Sequence, residues 1–423
     1  MAETYAPRDA DETRTFLAWA LAEEKPVEVI GHGSKRPIGR PVQAELTLDL
    51  SGLSGLSLYE PEELVLSAQA GTPVAEIEAA VAARGQELAF EPMDYGPVLG
   101  LPAGRGTIGG LLATNLAGPR RLSKGAARDH VLGIKAVSGR GEAFKAGGRV
   151  VKNVTGYDLA RGLSGSWGTL AALTEVTFKV LPRAEASETI VLSGLDDHRA
   201  VAALAAAMGS STEVSGAAHL PADAAVATGA ATGGTVGRDG RAATLVRLEG
   251  VPVSIAHRAD MLMGLLAPFG RIERIAGAPS EALWRAVRDV AAFTPDRAPG
   301  TVLWRVSVAP SAGPVVAAAV ARAVPDSRAF YDWQGGLVWL CLPATPRGTD
   351  AAPSGTAADA GAATIRAAVA AAGGGHATLI RADAATRAAV PVFEPQPAPL
   401  AALGARLKAQ FDPKGILNPG RMA

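Results

Sequence analysis

The 423 residues carry 41 Lys and Arg against 41 Asp and Glu, so no net charge draws the chain to nucleic acid or to an anionic bilayer. An apolar fraction of 48% with 19% charged residues describes a folded globular chain, long enough for two domains. The single cysteine, Cys341, excludes an internal disulfide framework and an iron–sulfur site built from this chain's own thiolates, and points to a reducing cytoplasm.

The first residues, MAETYAPRDADETRTF, are acidic and lack the basic flank and apolar core of a secretory signal. Every apolar run is broken by Arg, Asp, Gly or Pro well short of the roughly 20 residues that cross a bilayer. Membrane contact is expected only through partners.

In chain order, Phe16, Leu17, Ala20 and Leu21 recur at helical spacing over 11–24, and Lys25-Pro26 ends the helix. VEVIGHGSK (27–35) reads as a buried strand entering a glycine turn, which sets Gly31, Gly33 and Ser34 where backbone amides can face a diphosphate. By itself this pattern equally fits a plain tight turn. LTLDL (46–50) and ELVLSAQAGTPV (63–74) are strands, and VAEIEAAVAARG is a helix opened by Pro73 and stopped at Gly85.

The glycine-rich stretch GRGTIGGLLATNLAGPRR (104–121) has few bulky side chains, as a backbone lying flush against a large polar ligand requires. RDHVLGIKAVSGRGEAFKAGG then reads as a hairpin turning at 138–141. RVVKNVTGYDLARGLSGSWGTLAALTEVTFKVLP combines a polar loop, a short helix at 159–163 and a long strand, with a boundary near Pro182-Arg183.

Beyond it, Ala-rich helices alternate with the strands TIVLSG, ATLVRLEGV, RIERIAG, TVLWRVSVAP, GLVWLCLP and ATLIRA, an α+β layer of a sheet with helices on one side. Segments 221–242 and 344–361, poor in large apolar residues, are expected to be surface loops. In LAALGARLKAQFDPKGILNPGRM, Leu403, Leu407 and Phe411 share one helix face, and Asp412-Pro413 ends that helix before a Pro/Gly-stiffened tail.

GTIGGLLATNLAGPRR, DHVLGIKAVSGRGE, NVTGYDLARGLSGSWGTLAALTEVTFKVLP and FDPKGILNPGRM, in that order, resemble the FAD-linked oxidases of the vanillyl-alcohol-oxidase type, which carry a PCMH-type FAD-binding domain. IGHGSKRPIGRP, AGTPVAEIEAAVAARGQELAFEP and GGRVVKNVTGYDLARGLSGSWG narrow the resemblance to the subunit-E group of bacterial glycolate oxidases. It covers 27–182 and the tail well; the middle matches in layout. The resemblance implies an α+β fold, with a PCMH-type two-subdomain FAD-binding domain (1–182), an α+β cap whose sheet is covered by helices (183–399) and a C-terminal segment (400–423) packing back on the first domain.

Carried onto this sequence, it implies that Gly31, Gly33 and Ser34 line one side of the FAD diphosphate and Thr107, Ile108, Gly109 and Gly110 the other. Thr114 and Asn115 would continue toward the flavin, Gly118 would allow close approach, and Val176 would meet the adenine end through its backbone. Asn418 and Arg421 would return from the far end of the chain, and Arg120-Arg121 would offset phosphate charge. His32 lies between Gly31 and Gly33 instead of after paired glycines, so FAD is expected to be held non-covalently.

The implied function is oxidation of glycolate or another small 2-hydroxy acid by hydride transfer to flavin. Electrons would leave through a homologous larger FAD-linked subunit and an iron–sulfur subunit. No H-x-H motif supplies the histidine set of hydroxyacid-oxidising relatives, and His32, His130, His198, His219, His257 and His376 have no metal-ligand spacing, so no metal is expected. That leaves Tyr157, beside Lys152, Asn153 and Asp158, and His130 as catalytic candidates. Two alternatives stay open: an FAD-containing structural or assembly subunit without its own turnover, and a free-standing oxidase of another 2-hydroxy acid or alcohol.

Overall fold

A computed structural model describes residues 3–150, 156–344 and 359–422. Its first sheet is parallel, with β1 (Glu3–Tyr5), β2 (Val27–Ile30) and β3 (Leu46–Asp49) in the order β1-β3-β2. The helix Ala10–Ala22 joins β1 to β2, capped by Asp9, whose carboxylate accepts from the Glu12 amide, and it buries Phe16, Leu17 and Ala20.

Then come β4 (Leu56–Glu60), β5 (Val65–Gln69), β6 (Gln86–Glu87), β7 (Val131–Ser138), β8 (Ala143–Gly147), β9 (Ala171–Lys179) and β10 (Leu181–Pro182). β6 pairs with β10, and the other five form an antiparallel sheet in the order β4-β5-β9-β7-β8. β9 lies at its centre and is buried along most of its length, which is why its sequence reads as a near-continuous apolar run. The short helix Ile108–Ala113 rests on β5 and β9 and faces the first sheet.

An eight-stranded antiparallel sheet follows: β11 (Ala186–Ser193), β12 (Gly216–Leu220), β13 (Ala243–Gly250), β14 (Ile272–Ala276), β15 (Thr301–Ser307), β16 (Arg328–Asp332), β17 (Leu337–Pro343) and β18 (His376–Arg381). Its order, β14-β11-β13-β12-β16-β17-β15-β18, is two β-α-β-β-α-β halves joined second strand to second strand. That junction is a single pair, His219 opposite Tyr331. Asp197 clamps it, accepting from the Tyr331 hydroxyl at 2.5 Å and lying 3.2 Å from His219 Nε2.

The crossover helices Asp197–Met208, Pro252–Leu266, Gly313–Ala323 and Ala362–Ala371 cover one face. The other face is covered too, which the sequence reading did not include. Helices Ala222–Ala231 and Ala278–Arg288 pack there, and Phe90, Val98 and Phe178 share one core with Leu245, Trp284, Phe330 and Trp339. The expected loop over 221–242 is therefore corrected. Ala224, Ala225, Thr228 and Gly229 are buried, and a Cβ on Gly229 would stand 1.9 Å from the Val236 carbonyl, so small residues here mean close packing. Of the second expected loop, 345–358 lie outside the described residues.

The helix Ala398–Phe411 forms as its pattern predicts, yet Leu400, Leu403 and Leu407 are exposed and only Phe411 leans on Phe144, 5.9 Å between ring centroids. Beyond it the chain turns inward: Ile416 and Leu417 are buried beside Val27 and Leu48, and Leu417 pairs with Val27.

A buried ion network crosses from the N-terminal region to the eight-stranded sheet. Arg120 pairs with Glu249 at 2.5 Å and Glu87 at 2.8 Å, and Arg247 pairs with Glu91 at 2.7 Å and Glu249 at 3.3 Å. Burial alone would raise the Glu249 pKa, but the Arg247 and Arg120 charges overcome it and hold it at about 2. Because that value is depressed, its stabilisation is complete above the ordinary Glu range near about 4.3 and is lost as pH falls toward 2. Arg120→Met is expected to cost about 3–5 kcal/mol by stranding buried carboxylates. Thermal melts should show that deficit near neutrality and a narrowing gap from wild type as the pH is lowered; a gap independent of pH contradicts it.

Candidate cofactor-binding site

Between the parallel sheet and the helix Ile108–Ala113 lies a cleft of about 720 Å³, its open mouth included, within the usual range for a small-molecule site. It opens at the C-terminal end of β2, where ligands sit on parallel sheets. The chain leaves β2 into a turn with Gly33 at φ +69°. The amides of His32, Gly33, Ser34 and Lys35 donate to no other described residue. Successive free N–H groups around a left-handed residue form a concave anion cradle.

The opposite wall contributes surface instead of donors. Thr107 caps the helix, its Oγ1 accepting from the Gly110 amide at 3.3 Å. The Ile108 and Gly109 amides are already bonded to the Thr72 and Ala70 carbonyls at 3.0 and 2.9 Å. The end of β5 thus takes up the Ile108 and Gly109 amides, and this wall offers small residues and the Thr107 hydroxyl instead. The β2 turn meets the helix cap at Gly31, whose Cβ would lie 2.6 Å from Thr107 Oγ1, and the helix seats on the end of β5 at Gly109, whose Cβ would lie 2.8 Å from Ala70 Cβ.

The tail closes a third side. Asn418, at φ +42°, accepts from the Val29 amide through Oδ1 at 2.8 Å and donates Nδ2 to the Trp167 carbonyl at 2.8 Å. Gly168 must be bare beside it, since its Cβ would stand 2.6 Å from Nδ2. Arg421 donates to the Lys35 carbonyl at 3.0 Å, and Arg387 donates to that of Gly39 at 2.8 Å, so the β2 turn is braced from two directions. Burial lowers the Arg421 pKa to about 10, partly offset by Glu28.

The structure thus gathers Gly31, Gly33, Ser34, Thr107, Gly109, Gly110, Thr114, Asn418 and Arg421 around one cleft, and leaves Ile108, Asn115, Gly118, Arg120, Arg121 and Val176 off its lining. Ile108 and Val176 are fully buried core residues. Asn115, at φ +50°, closes the helix and accepts from the Arg128 amide at 3.0 Å. Gly118 allows a close approach, but to the Glu91 carbonyl, 2.3 Å from where its Cβ would be. Arg120 belongs to the buried ion network, where three carboxylates use its charge.

Neither catalytic candidate reaches the cleft. His130 is buried against Phe90, with Nε2 2.8 Å from the Lys124 carbonyl, and Tyr157 is 91% exposed. Lys152 and Asn153 lie outside the described residues. Sequence reasoning passed over His32, Lys35, Trp167 and Gly168 as lining residues, reading His32 only as a departure from the glycine pattern.

A second polar group stands where 104–121 meets the eight-stranded sheet. Trp333 donates from Nε1 to the Gly118 carbonyl at 3.0 Å. The guanidinium carbons of Arg121 and Arg305 lie over its ring, 4.9 and 5.0 Å from the centroid. Among the described residues neither arginine has a carboxylate at salt-bridge distance. Tyr95 is adjacent: burial pushes its phenol pKa up, and the Arg305 charge offsets part of that rise.

This fold and cleft define an FAD-linked oxidase with a PCMH-type FAD-binding domain, and the chain belongs to that family. A family model described as "FAD binding domain" matches residues 2–147. Glycolate oxidase subunit GlcE of Escherichia coli (strain K12) is 34% identical over 420 residues, 98% of each chain. Glycolate oxidase subunit GlcD of Bacillus subtilis (strain 168) is 31% identical over 187 residues, 44% of this chain and 38% of that one. Among solved structures, p-cresol methylhydroxylase aligns with TM-score 0.70 at 12% identity, over 99% of this chain and 88% of that one. Alkyldihydroxyacetonephosphate synthase aligns with TM-score 0.69 at 13% identity, over 98% and 76%.

Gly109→Ala tests whether the helix Ile108–Ala113 must seat closely on the end of β5 to shape the cleft. The added methyl has only Ala70 to displace, so the helix must lift from β5, at about 1–3 kcal/mol for overpacking. Titration of the variant with FAD should show at least tenfold weaker binding together with a lower melting temperature.

Proposed function

We propose that this chain is the FAD-binding subunit of a glycolate oxidase complex, oxidising glycolate to glyoxylate with electrons passed to partner subunits. The observation that carries the cofactor assignment is the run of four unbonded amides from His32 to Lys35 facing a cleft whose opposite wall is kept bare by Gly109 and Gly110. Those donors suit a diphosphate at close range. FAD, when bound, supplies the acceptor for the hydride of a CH–OH group. Thr107 and Thr114 border its path, and Asn418 holds β2 and the 167–168 turn at fixed spacing. FAD is held non-covalently in this reading, so acid precipitation of the holoprotein should leave the yellow colour in the supernatant.

The substrate assignment draws support from Arg121 and Arg305. Two guanidiniums over one indole, with no described carboxylate to pair them, form a docking point for a small carboxylate. They lie at the seam between the FAD-binding region and the eight-stranded sheet, next to the loop expected to lead toward the flavin. Charge-assisted contacts here would orient a 2-hydroxy acid.

For the partners we infer a homologous, larger FAD-linked subunit and an iron–sulfur subunit, since Cys341 alone cannot ligate a cluster. The exposed Leu400, Leu403 and Leu407 are consistent with a chain that works in a complex. No helix among the described residues is long and apolar enough to cross a membrane, and we place the complex in the cytoplasm, meeting a membrane only through its other subunits.

The purified complex should show flavin absorbance that bleaches with glycolate; a preparation without flavin under non-denaturing conditions refutes the assignment. Arg305→Ala should raise KM for glycolate at least tenfold with flavin content unchanged. A normal KM would remove Arg305 from the substrate site.

A further inference from the structure

Lys35 is a charged residue that the family-level reading does not place. Its side chain leaves the amide turn and ends beside the opposite wall, with Nζ 3.5 Å from where a Gly110 Cβ would be and 3.9 Å from that of Gly106. It borders two clefts at once. One is the cofactor cleft; the other, of about 480 Å³, is lined by Asp94, Tyr95, Glu78 and Arg288 among others. Lys35 therefore stands at the passage between them.

Among the described residues Nζ donates no hydrogen bond and has no carboxylate at salt-bridge distance. The half-buried Lys35 differs here from Arg120 and Arg247, which glutamates hold, from Arg288, which Asp289 holds at 2.8 Å, and from Arg387, which donates to the Gly39 carbonyl. An enclosed ammonium without an anion is an unfavourable arrangement unless a ligand completes it. The four free amides lie in the same turn, line the same cleft and call for the same kind of partner.

We propose that Lys35 is the cation that neutralises the diphosphate of FAD, spanning from the amide turn to the Gly106–Gly110 wall to hold the phosphates between them. This rests on the FAD reading above and adds a residue and a charge to it.

The charge has a measurable consequence. Burial lowers the Lys35 pKa to about 8 in the ligand-free protein, and Asp94 is the charge that offsets this. The other charged or titratable groups around it are His32 and Arg36 in its own turn, Arg421 from the tail, Glu28 on β2, which pairs with Arg36 and Arg421, and Glu78 and Arg288 across the second cleft. Below pH 8 the ammonium is already charged and binding needs no proton. Above it, a dianionic ligand must bring the proton back, so affinity falls with pH.

ADP carries the diphosphate without the flavin's ionisable ring, and riboflavin carries the ring without the diphosphate. With full-length apoprotein, Lys35→Met should weaken ADP binding at pH 7 at least tenfold while riboflavin changes less than twofold. In wild type the ADP dissociation constant should rise by up to tenfold per pH unit above about 8. Lys35→Arg, whose guanidinium stays charged, should hold a flat profile and an unchanged melting temperature. Equal losses for ADP and riboflavin, or a flat wild-type profile, overturn the role of Lys35 while leaving FAD binding intact. Wild type that binds neither FAD nor ADP overturns the FAD reading itself.

Discussion

Asn418 joins the two ends of the chain, and the cofactor cleft depends on that join. Its side-chain amide completes the free edge of β2 by accepting from the Val29 amide, and its Nδ2 fixes the Trp167 carbonyl. A strand could satisfy the β2 edge, but it would also fill the space the cleft occupies. A single amide side chain satisfies the backbone groups and stops there. The tail reaches this position already shaped, because Asp412 accepts from the Ile416 and Leu417 amides at 3.0 and 2.8 Å and draws Lys408 onto the Leu417 carbonyl. Preorganisation of this kind lowers the entropy lost on docking.

Charges in this chain follow two opposite rules. At the seam between the FAD-binding region and the eight-stranded sheet, Arg120, Arg247, Glu87, Glu91 and Glu249 neutralise one another under cover, and the register of the two parts is tied to their geometry. Around the ligand path the cations Lys35, Arg121 and Arg305 lack such partners among the described residues. Other enclosed arginines without carboxylates, Arg387 and Arg381, spend their donors on backbone carbonyls, whereas the Lys35 ammonium donates to no described group and suits an anion in the proposed function.

Much of the fold was legible because the elements follow strong periodicities. The Asp9-capped first helix, the β7–β8 hairpin and the long apolar β9 are each written in consecutive residues. β12 and β16 escaped because GAAHL and RAFYD are short, and their burial comes from neighbouring strands instead of from their own pattern. The helix over Ala222–Ala231 escaped because alanine and glycine were read as looseness when they serve close contact. At the site, the glycines were legible because a bare backbone leaves a direct trace in sequence. Which atoms those glycines approach was not: Gly118 faces Glu91, and the Ile108 and Gly109 amides are spent on β5, outcomes set by residues distant in the chain.

The stretch 104–121 consequently does something other than present donors. It begins with Gly106 and Gly110 beside the Lys35 ammonium and ends with Gly118 bonded to Trp333 and Arg121 over the same indole. One short helix and one turn thus join a cation at the cofactor cleft to a pair of cations at the seam. Its glycines let it press against β5 and Glu91 at fixed points, so neither end can shift without a steric clash with backbone. In the proposed function a carboxylate held at the seam and a diphosphate held at the cleft are then kept at a constant separation, which helps to orient the substrate relative to the cofactor. Under the proposed function this stretch sets a distance, and its bare backbone is what makes that distance rigid.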